Sequence, residues 1–143
     1  MAEPLVHSLS SARQFGGKPE DYIAIHEKMD CSKKYCGDNR HRALTHSHFW
    51  IYEVMEPIFG KTITNSDGKI VSIYRICEQH INEDFKFKFF PNVMDYLSEM
   101  NLTPWMNNAM GPAPRTKTYL ADSESELRKV TRTINLQSIG ETK

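Results

Sequence analysis

The sequence predicts a mainly α-helical fold: a compact bundle of four or five helices with a small β-hairpin and an extended C-terminal arm. Three observations carry that prediction. Apolar residues recur at steps of three and four along most of the chain up to Met100. One short stretch, Thr62-Ile63-Thr64 and Ile70-Val71 around Asn65-Ser66-Asp67-Gly68, is β-favouring with a turn signal inside it. Beyond Met100 the pattern gives way to Asn107-Asn108 and Gly111-Pro112-Ala113-Pro114, the composition of a linker. The helical domain is therefore placed at residues 1–105, and the linker and C-terminal arm at 106–143.

Residues 1–18 read as a short lead-in, with two helical turns over Ser8–Phe15 that end at Gly16-Gly17. Pro19, followed by Glu20 and Asp21, is a helix start with an acidic first turn. That helix is expected to run to about Tyr35 and stop at Gly37, burying Tyr22, Ile25 or His26, and Met29. Asp38 or Asn39 starts the next, the longest, over Arg40–Glu56. His41, Leu44, His48, Ile51 or Tyr52, and Met55 form its stripe, and Pro57 and Gly60 close it. The hairpin follows, with Gly68 at a positive φ. Ser72 then caps a third helix, Ile73–Phe85, whose one face carries Ile73, Ile76, Cys77, His80 and Asp84. Phe85-Lys86-Phe87-Lys88-Phe89 alternates like a half-buried strand, or a looser segment that buries three rings. Pro91 starts a fourth helix bearing Val93, Met94, Leu97 and Met100. The expected core joins Trp50, Tyr52, Met55, Phe59, Ile76, Phe89 and Leu97. In the arm, Ser123 and Glu126 form a capping box ahead of Leu127, Val130 and Ile134.

Length and composition bound the function. A chain of 143 residues has room for one good core. Its 18 basic and 18 acidic residues cancel, so broad electrostatic attraction to nucleic acid or to an anionic membrane is not encoded. No apolar run reaches the roughly 18 residues of a membrane helix, and the N-terminus lacks the marks of a secretory signal. The three cysteines, Cys31, Cys36 and Cys77, are an odd number and read as reduced thiols of a cytoplasmic protein.

The residues that point to chemistry are histidines. Six are present, His7, His26, His41, His46, His48 and His80, five of them between residues 26 and 80. His26 with Asp30 and His80 with Asp84 are spaced four apart, which places imidazole and carboxylate on one side of a helix. His41 and His48, seven apart, share a side of the long helix. If the three faces meet, His26, Asp30, His41, His48, His80 and Asp84 converge as a nitrogen and oxygen donor set suited to Zn, Fe or Mn. A site with an open position would activate water for hydrolysis. Glu27 and Glu78 are poor bases for it, each turned about 100° from its neighbouring candidate ligand. The plainer reading of the same residues is structural: core histidines bonded to carbonyls, and His–Asp pairs that support their helices. His46 falls to that reading, since it projects about 140° from His41 on a continuous helix. His7 precedes any firm element.

Named motifs mostly fail. His26-Glu27-Lys28-Met29-Asp30 is HExxH with Asp for the second His, so the defining zinc-protease ligand is gone. No His-Asp dipeptide, Walker spacing or serine nucleophile elbow occurs. Cys77 three residues before His80 reads as a buried thiol.

Three blocks together resemble a known pattern. His7-Ser8, Ser11-Ala12-Arg13, Phe15-Gly16-Gly17 and Pro19-Glu20-Asp21-Tyr22 form the first. Arg40-His41-Arg42-Ala43-Leu44-Thr45-His46 is the second and Glu78-Gln79-His80-Ile81-Asn82-Glu83-Asp84 the third. As a set they resemble an uncharacterised family, a domain of unknown function in small bacterial and phage proteins, over residues 7 to about 105. The resemblance implies a single domain that ends near Trp105 and brings no activity with it. Two functional classes remain. One is a metal-binding protein, with metal-dependent hydrolysis as its enzymatic form. The other is an interaction protein, an accessory component of a phage or virion if the chain is phage-encoded, that meets a partner or a second copy through residues 106–143.

Overall fold

The structure, a computed structural model, describes residues 3–112 and residue 114. The fold is mainly helical with one antiparallel two-stranded hairpin, as the periodicity predicts. The arm beyond residue 114, with its capping box, lies outside the described residues.

The chain opens on a firmer element than a lead-in. Helix α1 spans Pro4–Phe15, a full three turns. Pro4 in its first turn supplies the fixed φ that a helix start favours, and Gly16, at φ +85°, ends it. A 3-10 turn at Pro19–Asp21 leads into α2, Ile23–Met29. The helix expected from Pro19 to Tyr35 is thus segmented: α2 stops at Asp30, and a second 3-10 turn follows over Cys31–Lys34. The predicted buried side is nonetheless buried, with Tyr22, Ile25, His26 and Met29 all inside.

The long helix is broken. A 3-10 turn over Asn39–His41 runs into α3, Arg42–Thr45, and the chain then leaves the helix. His46 takes φ −110°, ψ 68°, and Ser47 is fully extended at ψ 168°. Thr, His and Ser in succession are weak helix formers, and Ser favours the N-cap position it occupies here. From Ser47 a new rod begins: α4 (His48–Trp50), a π-helical stretch (Ile51–Met55) and α5 (Glu56–Phe59). Pro57 does not close it. Proline lacks the N–H owed to the carbonyl of Glu53 and its ring crowds that oxygen. The wider π turns just ahead make room, and the rod ends only at Gly60, φ +86°.

Strands β1 (Thr62–Thr64) and β2 (Ile70–Ser72) pair Thr62 with Ser72, Ile63 with Val71 and Thr64 with Ile70. Gly68 has the predicted positive φ, +77°. Asn65 ties this hairpin inward. Its amide donates to Phe15 O and the Tyr22 hydroxyl, and its carbonyl accepts from the Asp67 and Lys69 backbones.

Helix α6 is Ile73–Asp84, with the Ser72 hydroxyl accepting from Arg75 N as its cap. It runs through the centre and changes character along its length. Ile73, Ile76 and Cys77 enter the apolar core with Tyr22, Ile25, Met29, Ile51, Met55, Val71 and Ile81. Each such aliphatic side chain contributes about 1.5–3 kcal/mol by its burial. One turn on, the same face presents His80 and Asp84. Helices α1, α2 and α6 pack against one another.

The expected core needs correction at its edge. Trp50 and Phe59 do pack partly against it, but Tyr52, Phe89 and Leu97 are about half exposed. The Phe85–Phe89 alternation is a turn, not a strand: Lys86 and Phe87 both adopt left-handed backbone, at φ 55° and 58°. The fourth helix, α7, is short, Val93–Leu97, and starts on an Asn92–Asp95 capping box. No helix among the described residues is long and apolar enough to cross a membrane.

Candidate metal centre

Four side chains converge where α6 turns polar: Asp30, His46, His80 and Asp84. One donor atom from each lies within 4.8 Å of the other three. His80 and Asp84 come from successive turns of α6, and Asp30 is the residue that ends α2. His46 arrives from the break between α3 and α4, and the Tyr96 hydroxyl of α7 holds its carbonyl at 3.0 Å. His46 and His80 are fully buried and Asp30 nearly so.

The spacing fits a small cation. His46 Nε2 lies 2.9 Å from Asp84 Oδ2 and 3.8 Å from Asp30 Oδ1. His80 Nε2 lies 3.2 Å from Asp30 Oδ1 and 3.7 Å from Asp84 Oδ2. A tetrahedral ion with bonds of about 2.0–2.1 Å sets its donors roughly 3.3 Å apart. The observed separations bracket that value.

The hydrogen bonds behind His80 fix which nitrogen carries its proton. Ser11 Oγ, from α1, contacts Gln79 Oε1 at 2.6 Å, His7 O at 3.0 Å and His26 Nε2 at 2.7 Å. The first two partners only accept, so the single hydroxyl proton points to one of them. The Gln79 amide cannot be flipped to relieve this, because its nitrogen donates to His7 O and to Glu83 Oε1. His26 Nε2 must therefore donate to Ser11. Burial, with the neighbouring His80 and His7, pushes His26 down to about 2, so it is neutral and its Nδ1 is bare. That Nδ1 sits 2.9 Å from His80 Nδ1, which must then carry the proton. Burial holds His80 itself down to about 4, so it too is neutral. Its Nε2 is a bare lone pair facing two carboxylates. Burial opposes the charge of Asp30, but the Lys33 ammonium hydrogen-bonded to it favours the ionised form and holds it below the usual carboxylate range. Burial likewise opposes Asp84, and the charged His7 beside it keeps it well below the usual carboxylate range.

Behind His46 the pattern is compatible with the same orientation. Its Nδ1 meets Thr45 Oγ1 at 2.8 Å, Thr45 meets Ser32 Oγ at 3.1 Å, and Ser32 donates to His41 O. Outer hydrogen bonds of this kind orient the ring of a ligating histidine. Around the carboxylates stand cations. Lys33 Nζ is 2.9 Å from Asp30 Oδ2 and Arg42 Nε is 3.6 Å from Asp84 Oδ2. His7 stacks on the His80 ring at 3.9 Å. Its Nδ1 is 3.4 Å from Glu83 Oε1, and its Nε2 is 3.3 Å from Asp84 Oδ1 without the alignment of a hydrogen bond. Burial opposes a charge on His7, but the two carboxylates overcome it and raise it to about 9.

Of the six residues singled out from the sequence, Asp30, His80 and Asp84 are in the cluster. His26 stands behind it, both ring nitrogens engaged by His80 and Ser11. His41 is one layer out, its ring 5.1 Å edge-on from His46 and its Nδ1 at Ser32. His48 is elsewhere, 3.1 Å from the Tyr74 hydroxyl and packed on Phe90. The stripe that joined His41 to His48 assumed one unbroken helix. His46, which that phase turned away, is the histidine delivered. The signal available for it was Ser47, a strong N-cap residue inside a Thr-His-Ser-His run. His7, which the sequence left unplaced, and Ser11 lie four apart on α1.

A mainly helical domain built around a buried His/Asp cluster is the class that this fold and site define. The family model for a domain of unknown function, DUF6915, matches residues 2–106, and the chain belongs to that family. Neither curated proteins nor solved structures provide a match.

Proposed function

We propose that this protein binds a divalent transition-metal ion through His46 Nε2, His80 Nε2, Asp30 and Asp84, and that the ion clasps the ends of α2 and α6 to the α3–α4 break. The observation that carries the reading is the bare Nε2 of His80 aimed at two anionic carboxylates. A lone pair facing negative oxygens in a buried site is repulsive unless a cation stands between them. Two imidazoles and two carboxylates suit Zn or Fe(II), and Mn less well. Hydrolysis would need a coordination position open to water, whereas a tetrahedral sphere filled by four buried protein donors is the pattern of an ion held for structure.

Elemental analysis of the untagged protein, purified without added metal, tests this. About one ion per chain is expected. His80→Ala and Asp84→Ala should each abolish retention, and His48→Ala should keep it. Native protein that is metal-free and takes up no added Zn, Fe(II) or Mn would end the proposal.

A further inference from the structure

The surface carries a second feature that the buried cluster does not use. Between α3 and α7 lies a groove of about 780 Å³, lined by Cys36, Ala43, Leu44, Tyr96 and Met100. Leu44 and Met100 are each more than half exposed. Asp95 and Glu99 border the same groove, as do Asn39 and Arg40. On the same helix α7, Met94 and Leu97 are also exposed. Apolar surface gathered in one region of a small domain marks an interaction site, and flexible thioethers suit one that receives aliphatic side chains.

The chain continues past the described residues to Lys143, and its sequence contains a matching occupant. Leu127, Val130 and Ile134 fall on one face at helical spacing, and the Ser123–Glu126 capping box precedes them. Three apolar residues are too few to hold an isolated short helix in water. They are, however, the anchor spacing by which an amphipathic helix enters an apolar groove. Charge adds to shape: the lining is net acidic, with Asp95 and Glu99 against Arg40, which pairs with Asp38, and Arg128, Lys129 and Arg132 follow the acidic capping turn of Glu124 and Glu126. The stretch between Pro114 and Ser123 spans up to about 30 Å when extended, about the diameter of a small domain.

We infer that the α3–α7 groove receives residues 123–134 of the same chain as a helix seated on Leu127, Val130 and Ile134. This docking is independent of the metal proposal. Hydrogen exchange on the full-length protein as purified tests it. Amides of 123–134 should exchange at least about tenfold more slowly than an unstructured peptide of that sequence. Leu127→Asp, or Leu44→Asp with Met100→Asp, should return them to the unstructured rate. Metal content and the protection of α6 should not change. Leu127→Asp should also speed exchange over 95–100, a reciprocal effect that stands even if the groove variant fails to fold. Exchange of 123–134 at the unstructured rate in the parent protein, or protection that survives both sets of substitutions, overturns the inference. Protection that disappears on dilution, with dimer lost in sedimentation, assigns the groove to a second copy and overturns docking within one chain.

Discussion

His26 and His80 face each other through their Nδ1 atoms at 2.9 Å, with His26 in turn bonded to Ser11 through Nε2. Two neutral imidazoles in that arrangement share one proton between the facing nitrogens. Ser11 decides which ring owns it. Because its own proton is taken by an acceptor, His26 gives to Ser11 and receives from His80. A serine on the first helix therefore sets the direction of a lone pair on the sixth, without touching the proposed ion.

Ser11→Ala should accordingly weaken metal binding while every donor stays in place. Loss of an outer hydrogen bond of this type lowers affinity by about 10–100-fold. Competition against a chromogenic chelator measures the change, and Ser11→Thr, which retains a hydroxyl, should recover part of it. Equal affinities for the parent and Ser11→Ala would show that the ring orientation is set by packing alone.

Metal removal should cost stability, because the four donors come from three separate stretches of chain. An ion present at about a thousand times its dissociation constant contributes roughly 4 kcal/mol to the folded state. For a domain of this size that corresponds to a fall in the melting midpoint of about 10 °C or more on chelation. Refilling with Zn should restore it. A midpoint indifferent to chelator, in protein shown to have lost its metal, would mean that the ion is not a clasp.

The sequence exposed the donors on α6 and concealed His46, for one physical reason. His80 and Asp84 lie on an unbroken helix, so spacing of four reads directly as a shared face. His46 lies where the helix stops. A single residue at ψ 68° followed by an extended one resets the helical phase, and every angle projected across it is wrong. Asp30 was legible because it caps the helix that carries His26, even though that helix ends earlier than its pattern implies. His7 and Ser11 were hidden because α1 has exposed Leu5, Val6 and Leu9 on its outer side and small or polar residues on its buried side. Its apolar pattern therefore marks the wrong face. The Phe85–Phe89 alternation misled because period two needs a partner strand, and this segment instead turns back on α6 through Phe87 N to Asn82 O.

The clamp between Asp21 and the hairpin gives a pH prediction outside the centre. Backbone N–H groups of Lys18 and Ser66, together with the Ser66 hydroxyl, donate to the Asp21 carboxylate. Those bonds, Lys18 first, lower its pKa below the usual 3.8. A depressed carboxyl adds stability above its unfolded value and loses that contribution as pH falls through the folded one. The loss should therefore occur below about pH 4, followed by the Asp21 carboxyl resonance. Ser66→Ala should move its midpoint upward toward 3.8. The same turn predicts harm from Gly17→Ala. Gly17 sits at φ +75°, and an added Cβ would collide with Asp21 Oδ2 and lie 2.9 Å from Asn65 Cβ. The left-handed backbone alone costs about 1–2 kcal/mol for a residue with a side chain, which urea denaturation would resolve.

Packing offers the sharpest contrast between pattern and structure. Both Ile76 and Leu97 sit on apolar stripes in the sequence, and periodicity alone ranks them together. In the structure Ile76 is fully buried among the core residues, whereas Leu97 is 45% exposed at the end of a helix of five residues. Truncation of a buried aliphatic side chain loses its transfer free energy and leaves a cavity, together about 2–5 kcal/mol. At a half-solvated site there is little cavity to leave, since water already reaches the side chain. Ile76→Ala should thus destabilise by about 2–5 kcal/mol and Leu97→Ala by less than about 1 kcal/mol. Chemical denaturation of the metal-loaded proteins gives both values, provided that the slope with denaturant is unchanged. Equal losses at the two positions would show that α7 buries Leu97 against the domain, which would also remove the exposed apolar surface beside the proposed docking groove.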